Sequence, residues 1–189
     1  MKKADTFIWL GIIASLLGLY FSRTSVINLG YEIMAKLTRS QFIEKFGPIA
    51  KIASRNTTLF PSVFMAQAIL ESSNGNSSLT RQANNFFGIK ADPNWPGPFI
   101  SKETTEYIDG VPKKVIAKFR AYETAIDSFL DRVNFLYKNA RYRNAGVFSA
   151  ISPEDQAKAL QRAGYATDPE YANLLIKLIN QNNLKKFDI

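Results

Sequence analysis

Met65-Ala66-Gln67-Ala68-Ile69-Leu70-Glu71-Ser72-Ser73-Asn74-Gly75-Asn76-Ser77 is the stretch on which the reading of this chain turns. An apolar helix runs up to one carboxylate, Glu71, just before a glycine stop at Gly75. Pro61 stands at the helix start, where its missing N–H costs nothing. Val63, Phe64, Ile69 and Leu70 supply the apolar positions. Residues 64, 67/68 and 71 share a face, so Glu71 lies one turn beyond Gln67 and Ala68, over partly apolar surface. A carboxyl held there has its charged form disfavoured and can donate a proton near neutral pH. Glycosidic bond cleavage needs such an acid on the leaving oxygen. A surface glutamate at a helix end would show the same local sequence.

Composition narrows the chemistry. The 189 residues contain no histidine and no cysteine. Cys/His pairs, Ser-His-Asp triads, thiolate metal sites and histidine–zinc sites are therefore excluded. Proton chemistry must come from Asp, Glu, Tyr or Lys, and no cofactor or metal is expected. The net charge is +8 with a pI near 9.6. Setting aside residues 1–37 removes Lys2, Lys3, Arg23 and Lys36 against Asp5 and Glu32, leaving +6. A basic surface favours anionic partners such as an acidic wall polymer. The charges are scattered and no nucleic-acid motif is present, so nucleic acid is not an expected partner.

Thr6 to Ser22, TFIWLGIIASLLGLYFS, is a 17-residue run without formal charge, preceded by Lys2 and Lys3. It sits at the short end of what spans a bilayer, with Trp9 and Tyr20 towards its ends. No small-x-small cleavage site follows cleanly. The expectation is a signal-anchor over residues 1–22, a tether over 23–37, and an extracellular domain over 38–189 held at the membrane by a single pass. Secretion after signal cleavage is the alternative.

Within that domain, Thr38 and Gln41 have capping-box spacing, and Phe42, Phe46, Ile49 and Ile52 form a helical stripe. A short helix is expected over Leu79–Ala83, then an irregular loop over 84–100 with three prolines, two glycines and Trp95. Long ordered loops are more often functional than filler. Thr104–Ile108, Asp109-Gly110 and Lys114–Arg120 predict a hairpin. Alternation places Glu106 on one strand face and Thr105 and Tyr107 on the other. Helices follow over Ala125–Tyr137, from Ser152-Pro153 to Gly164, and after an Asp168-Pro169 cap. The fold class is mainly α, with one small β-hairpin.

AQAILESSNGNSSL, ANNFFGIK, TTEYIDG with KFRAY, and AGYATDPEYANLL, taken in order, resemble the glucosaminidase domain of glycoside hydrolase family 73. That family includes the muralytic half of the flagellar rod-cap protein and several bacterial autolysins. The resemblance spans about Ser40 to Leu178. It implies a lysozyme-like α+β fold with a β-lobe, hydrolysis of the β-1,4 bond after N-acetylglucosamine in peptidoglycan glycan strands, and Glu71 as general acid.

By the same resemblance Glu106 is the second carboxylate, a general base for water. The bland alternative is a strand residue paired with Lys118 or Arg120, and Glu103 and Asp109 are nearby substitutes. A substrate-assisted route through the sugar's acetamido group also fits the family. Tyr165 matches a family tyrosine near the acid, whereas Tyr171 has helical spacing with Leu174 and Leu175 and reads as core. Asn85, Phe86 and Lys90 are groove candidates, with Phe87 and Ile89 as core. Trp95 either stacks on a sugar or anchors its own loop. Asn74 stands where many members have tryptophan, which puts one aromatic wall in doubt. A lytic transglycosylase needs only one acid and is the runner-up. A non-catalytic wall-binding module is a third reading. Oligomeric state is not legible.

Overall fold

The computed structural model describes residues 36–108 and 111–189, without the side chains of 106–108. Residues 37–189 form one compact unit. Helix α1 (Arg39–Ser54) starts at the expected capping box, with Gln41 N on Thr38 Oγ1 and Thr38 N on Gln41 Oε1. Its buried stripe is Phe42, Phe46, Ala50 and Ala53, while Ile52 stays exposed. The inward line is thus rotated from the 42/46/49/52 expectation, with alanines at its C-terminal half.

Helix α2 (Pro61–Ser72) has Pro61 in its first turn and is buried on nearly every side from Ser62 to Ile69. A helix apolar all round belongs in the centre of a domain. Two polar clamps fix its beginning. Gln156 Oε1 accepts from Phe60 N at 2.9 Å, and Asp188 Oδ1 accepts from Ser62 N at 2.8 Å. The end comes earlier than Gly75. Ser73 and Asn74 already have φ of 53° and 56°, and Ser72 Oγ accepts from Gly75 N at 2.7 Å. Asn76 exchanges two hydrogen bonds with the Leu37 backbone, tying the turn to the chain entering α1.

Helix α3 (Ser78–Ala83) follows, then the hairpin of β1 (Phe99–Ile108) and β2 (Val111–Arg120), antiparallel and longer than the sequence expectation. Next come α4 (Ala125–Lys138), α5 (Ala140–Asn144), α6 (Pro153–Arg162), α7 (Tyr171–Gln181) and a 3-10 turn, Leu184–Phe187. Helix α5 was not expected. Helix α7 begins two residues after the proposed Asp168-Pro169 cap; Asp168 Oδ1 instead accepts from Glu170 N in the preceding turn. Aromatic contacts run through the core from Phe42 and Phe46 to Phe86, Phe129, Phe87 and Phe64.

The expectation of a transmembrane helix, and with it the membrane as a partner and single-pass localisation, is corrected. Among the described residues no helix is long and apolar enough to cross a bilayer. The longest, α1, has 16 residues and exposes charged side chains, against about 20 apolar residues for a span. The stretch 1–22 on which the anchor was placed lies outside the described residues. The fold is therefore stated as mainly helical with a small antiparallel hairpin.

Candidate active site

Glu71, one residue from the end of α2, opens into a cleft of about 760 Å³. Phe87, Ile89 and Lys90 line one side of it, and Tyr142 and Tyr165 also face it. Burial is the main cause that lifts the Glu71 carboxyl above the usual carboxylate range; the Tyr171 hydroxyl and the Arg132 guanidinium pull it back only in part. The carbonyl end of α2 adds negative potential at this position, and no basic residue lies in the helix's last turn. An acid so placed keeps its proton to higher pH than a free glutamate.

Behind Glu71 lies a polar chain. Arg132 Nη2 donates to Gln67 Oε1 at 2.8 Å, Gln67 Nε2 donates to Tyr171 Oη at 2.7 Å, and Tyr171 Oη donates to Glu71 Oε1 at 3.3 Å. Gln67 and Arg132 are fully buried and Tyr171 nearly so. Tyr165 stacks on Tyr171, ring centroids 5.4 Å apart, and its other neighbour is Arg132, 4.4 Å from the ring centre. Burial pushes the Tyr165 phenol up to about 12, so it is a neutral hydroxyl at the mouth of the site. That hydroxyl is 3.5 Å from Phe87 O.

A second carboxylate, Asp92, also lines the cleft. Hydrogen bonding from Asn94 N and the Arg120 guanidinium hold it below its usual range, and Arg120 Nη2 is 2.8 Å away. The cleft thus contains one carboxyl pushed towards the acid form and one held ionised.

A family model described as glucosaminidase, mannosyl-glycoprotein endo-beta-N-acetylglucosaminidase, matches residues 47–184. The chain belongs to this glucosaminidase family. The peptidoglycan hydrolase FlgJ of Escherichia coli K12 is 42% identical over 144 residues, covering 74% of this chain and 45% of FlgJ. The chain thus spans about half the length of that relative. The exo-glucosaminidase LytG of Bacillus subtilis is 33% identical over 195 residues, covering 100% of this chain and 68% of LytG. Among solved structures, the catalytic domain of the Listeria monocytogenes autolysin Auto is 31% identical with a TM-score of 0.70, covering 85% of this chain and 96% of that one.

For a glucosaminidase, the sequence candidates fall in different places. Glu71, Lys90 and Tyr165 share the cleft. The side chain of Glu106 lies outside the described ones, but the register is informative. Glu106 pairs with Lys113, not with Lys118 or Arg120, and Ile100, Lys102, Thr104, Val115, Ala117 and Phe119 share one strand face. That is the half-buried face of the hairpin, and Lys102 on it bonds Ser78 Oγ at the start of α3. Glu103 is on the opposite, outward face, 3.1 Å from Lys114 Nζ. Asp109 is outside the described residues.

Asn85 is buried and organises the loop. Its Oδ1 accepts from Phe87 N and Ile89 N, and its Nδ2 donates to Ile89 O and Arg120 O. Phe86 is in the aromatic core, and its neighbours Phe87 and Ile89 are the ones that line the cleft. Trp95 donates to Pro98 O at 3.0 Å, lies under Arg120 at 4.2 Å, and is not part of the cleft lining.

Gln67, Arg132 and the Tyr171 hydroxyl were missed by sequence reasoning. Two of them left a signal. Gln67 is polar in an otherwise apolar helix, one turn before the acid, and Arg132 adjoins the inward stripe Phe129, Val133 and Leu136. Helical spacing placed Tyr171 in the core, where its ring does lie, but spacing is silent about where a hydroxyl points.

Proposed function

We propose that this chain hydrolyses the β-1,4 bond after N-acetylglucosamine in peptidoglycan glycan strands. Glu71 donates the proton that the leaving oxygen needs. The observation that carries this is a carboxyl made proton-retentive by burial, opening on a cleft lined by apolar, tyrosine and charged side chains. A pocket of this size suits several sugar rings, and such sites combine apolar walls with a few polar groups. Tyr165, kept neutral, presents its hydroxyl to the substrate acetamido group or to charge at the anomeric carbon. Glu106, in strand β1 of the hairpin, is the base that activates water. Lys90 hydrogen-bonds sugar substituents, and Phe87 walls the groove. Asp92 does not serve as the base, since Arg120 and the Asn94 N–H already hold it.

The test is mass spectrometry of fragments released from purified peptidoglycan by the chain and by its Glu71→Gln variant. Reducing N-acetylglucosamine ends, absent with the variant, are the expected result. Anhydromuramic ends would make the protein a lytic transglycosylase. Wall binding without release by either folded protein would make it a binding module.

A further inference from the structure

Arg132 is the largest fully buried side chain among the described residues, and its Nε and Nη1 have no hydrogen-bond partner. No carboxylate pairs with it within salt-bridge distance among those residues. Burying a guanidinium without an ion pair is costly. The guanidinium touches Gln67 by hydrogen bond and the rings of Tyr165, Phe87 and Phe64 by its faces and edges. Only the Tyr165 contact, at 4.4 Å, is close.

We infer that Arg132 is a positioning residue that sets the direction of the hydrogen-bond chain ending on Glu71. The inference rests on the glycosidase reading of Glu71. Arginine has donors and no acceptor. Facing it, the Gln67 side chain must present its oxygen, which turns the Gln67 amide nitrogen towards Tyr171. The Tyr171 oxygen is then an acceptor from Gln67, and its one O–H is left to donate to Glu71 Oε1. Donation to Oε1 favours the ionised carboxylate. It also leaves the acid proton on Oε2, the oxygen that the Tyr171 hydroxyl does not contact. Without a pure donor at the far end, Gln67 can turn over and present its oxygen to Tyr171. The tyrosine then donates to Gln67, and its oxygen accepts from a protonated Glu71. The relay therefore opposes the effect of burial and keeps the acid able to release its proton.

Other titratable and charged groups near Glu71 come from several elements. Tyr171 of α7, Arg132 of α4 and Tyr165 before α7 lie on its protein side. Across the open cleft stand Lys90, Asp92, Arg120, Lys138 and Arg141. Solvent in the cleft screens this second group, so the buried relay is the main polar influence that opposes burial at the acid.

The test is the pH profile of kcat/KM for glycan fragment release by the full chain. Its alkaline limb reports Glu71 losing its proton. Arg132→Gln, which is neutral and can present an oxygen, moves that limb to higher pH by several tenths of a unit. Arg132→Lys, again a pure donor, restores it. In a Tyr171→Phe background Arg132→Gln moves the limb by clearly less, because the relay is already cut and only the direct field of the Arg132 charge is lost. Where Arg132→Gln does not fold, Arg132→Met replaces it in both backgrounds. A limb unmoved in the folded variant overturns the inference. A shift that persists undiminished beside Tyr171→Phe also overturns it, since Arg132 would then act by its field alone. A wild type that releases no fragments fails the enzymatic reading instead. The carboxyl ¹³C titration of Glu71 in the same variants then decides the relay by itself.

Discussion

Tyr171→Phe removes one oxygen and leaves the ring where it is. The stack on Tyr165, 5.4 Å between centroids, survives. The lost oxygen served two neighbours: it accepted from Gln67 Nε2 at 2.7 Å and donated to Glu71 Oε1 at 3.3 Å. Gln67 is fully buried, so its amide nitrogen is left without a partner and out of reach of solvent. An orphaned buried donor costs about 2 kcal/mol. For a domain of this size that lowers Tm by about 4–8 °C. The second loss acts on the acid. A donor to the carboxylate disappears, so Glu71 holds its proton to still higher pH and the alkaline limb of kcat/KM moves up. Thermal unfolding and a pH series of fragment release measure the two effects on one protein. A variant with unchanged Tm and an unmoved limb would refute the relay: it would mean that the hydroxyl supports neither Gln67 nor Glu71.

Glu71→Gln lowers turnover by about 10²–10⁴; its stability moves the opposite way. Burial raises the acid's pKa, so the folded chain binds this proton more tightly than the unfolded chain. Stability therefore falls as pH rises from the unfolded value through the folded one. Glutamine escapes that loss, and at neutral pH the variant melts no lower than wild type in calorimetry. Glu106→Gln lowers kcat by at least about tenfold if the hairpin carboxylate is the base; a smaller effect in steady-state kinetics reduces it to a supporting residue. Asn85→Ala orphans the Phe87 and Ile89 amides and lowers stability by about 3 kcal/mol in urea unfolding. Hydrolysis assayed in EDTA proceeds at the wild-type rate, because the proposed chemistry uses carboxyl and phenol groups alone.

Glu71 stood out as the candidate acid before any coordinates because its setting is local. A glutamate that follows an apolar helical run, just before a glycine, is set over partly apolar surface by helical spacing alone. The capping box at Thr38, the proline start of α2 and the two hairpin strands are local in the same sense. Each depends on backbone groups within a few residues. The choice between neighbours was not legible. Whether Phe86 or Phe87 faces the cleft depends on how Asn85 folds its loop against Arg120 O, 35 residues away. The end of α2 at Ser72 rather than next to Gly75 depends on Ser73 and Asn74 adopting positive φ, which pattern alone assigns to glycine first.

Periodicity counts side chains on a face; it does not say what their polar ends meet. It put Tyr171 in the core correctly as a ring and missed it as a hydroxyl. Gln67, Arg132 and Tyr171 come from three helices and are separated by up to 104 residues, yet they form one chain of hydrogen bonds. By itself the sequence determined the helical class, the hairpin, the absence of histidine and cysteine chemistry, and Glu71 as the candidate acid. Tertiary structure alone decided which groups stand behind that acid, because hydrogen-bond direction and desolvation are set by packing between helices that no local pattern relates.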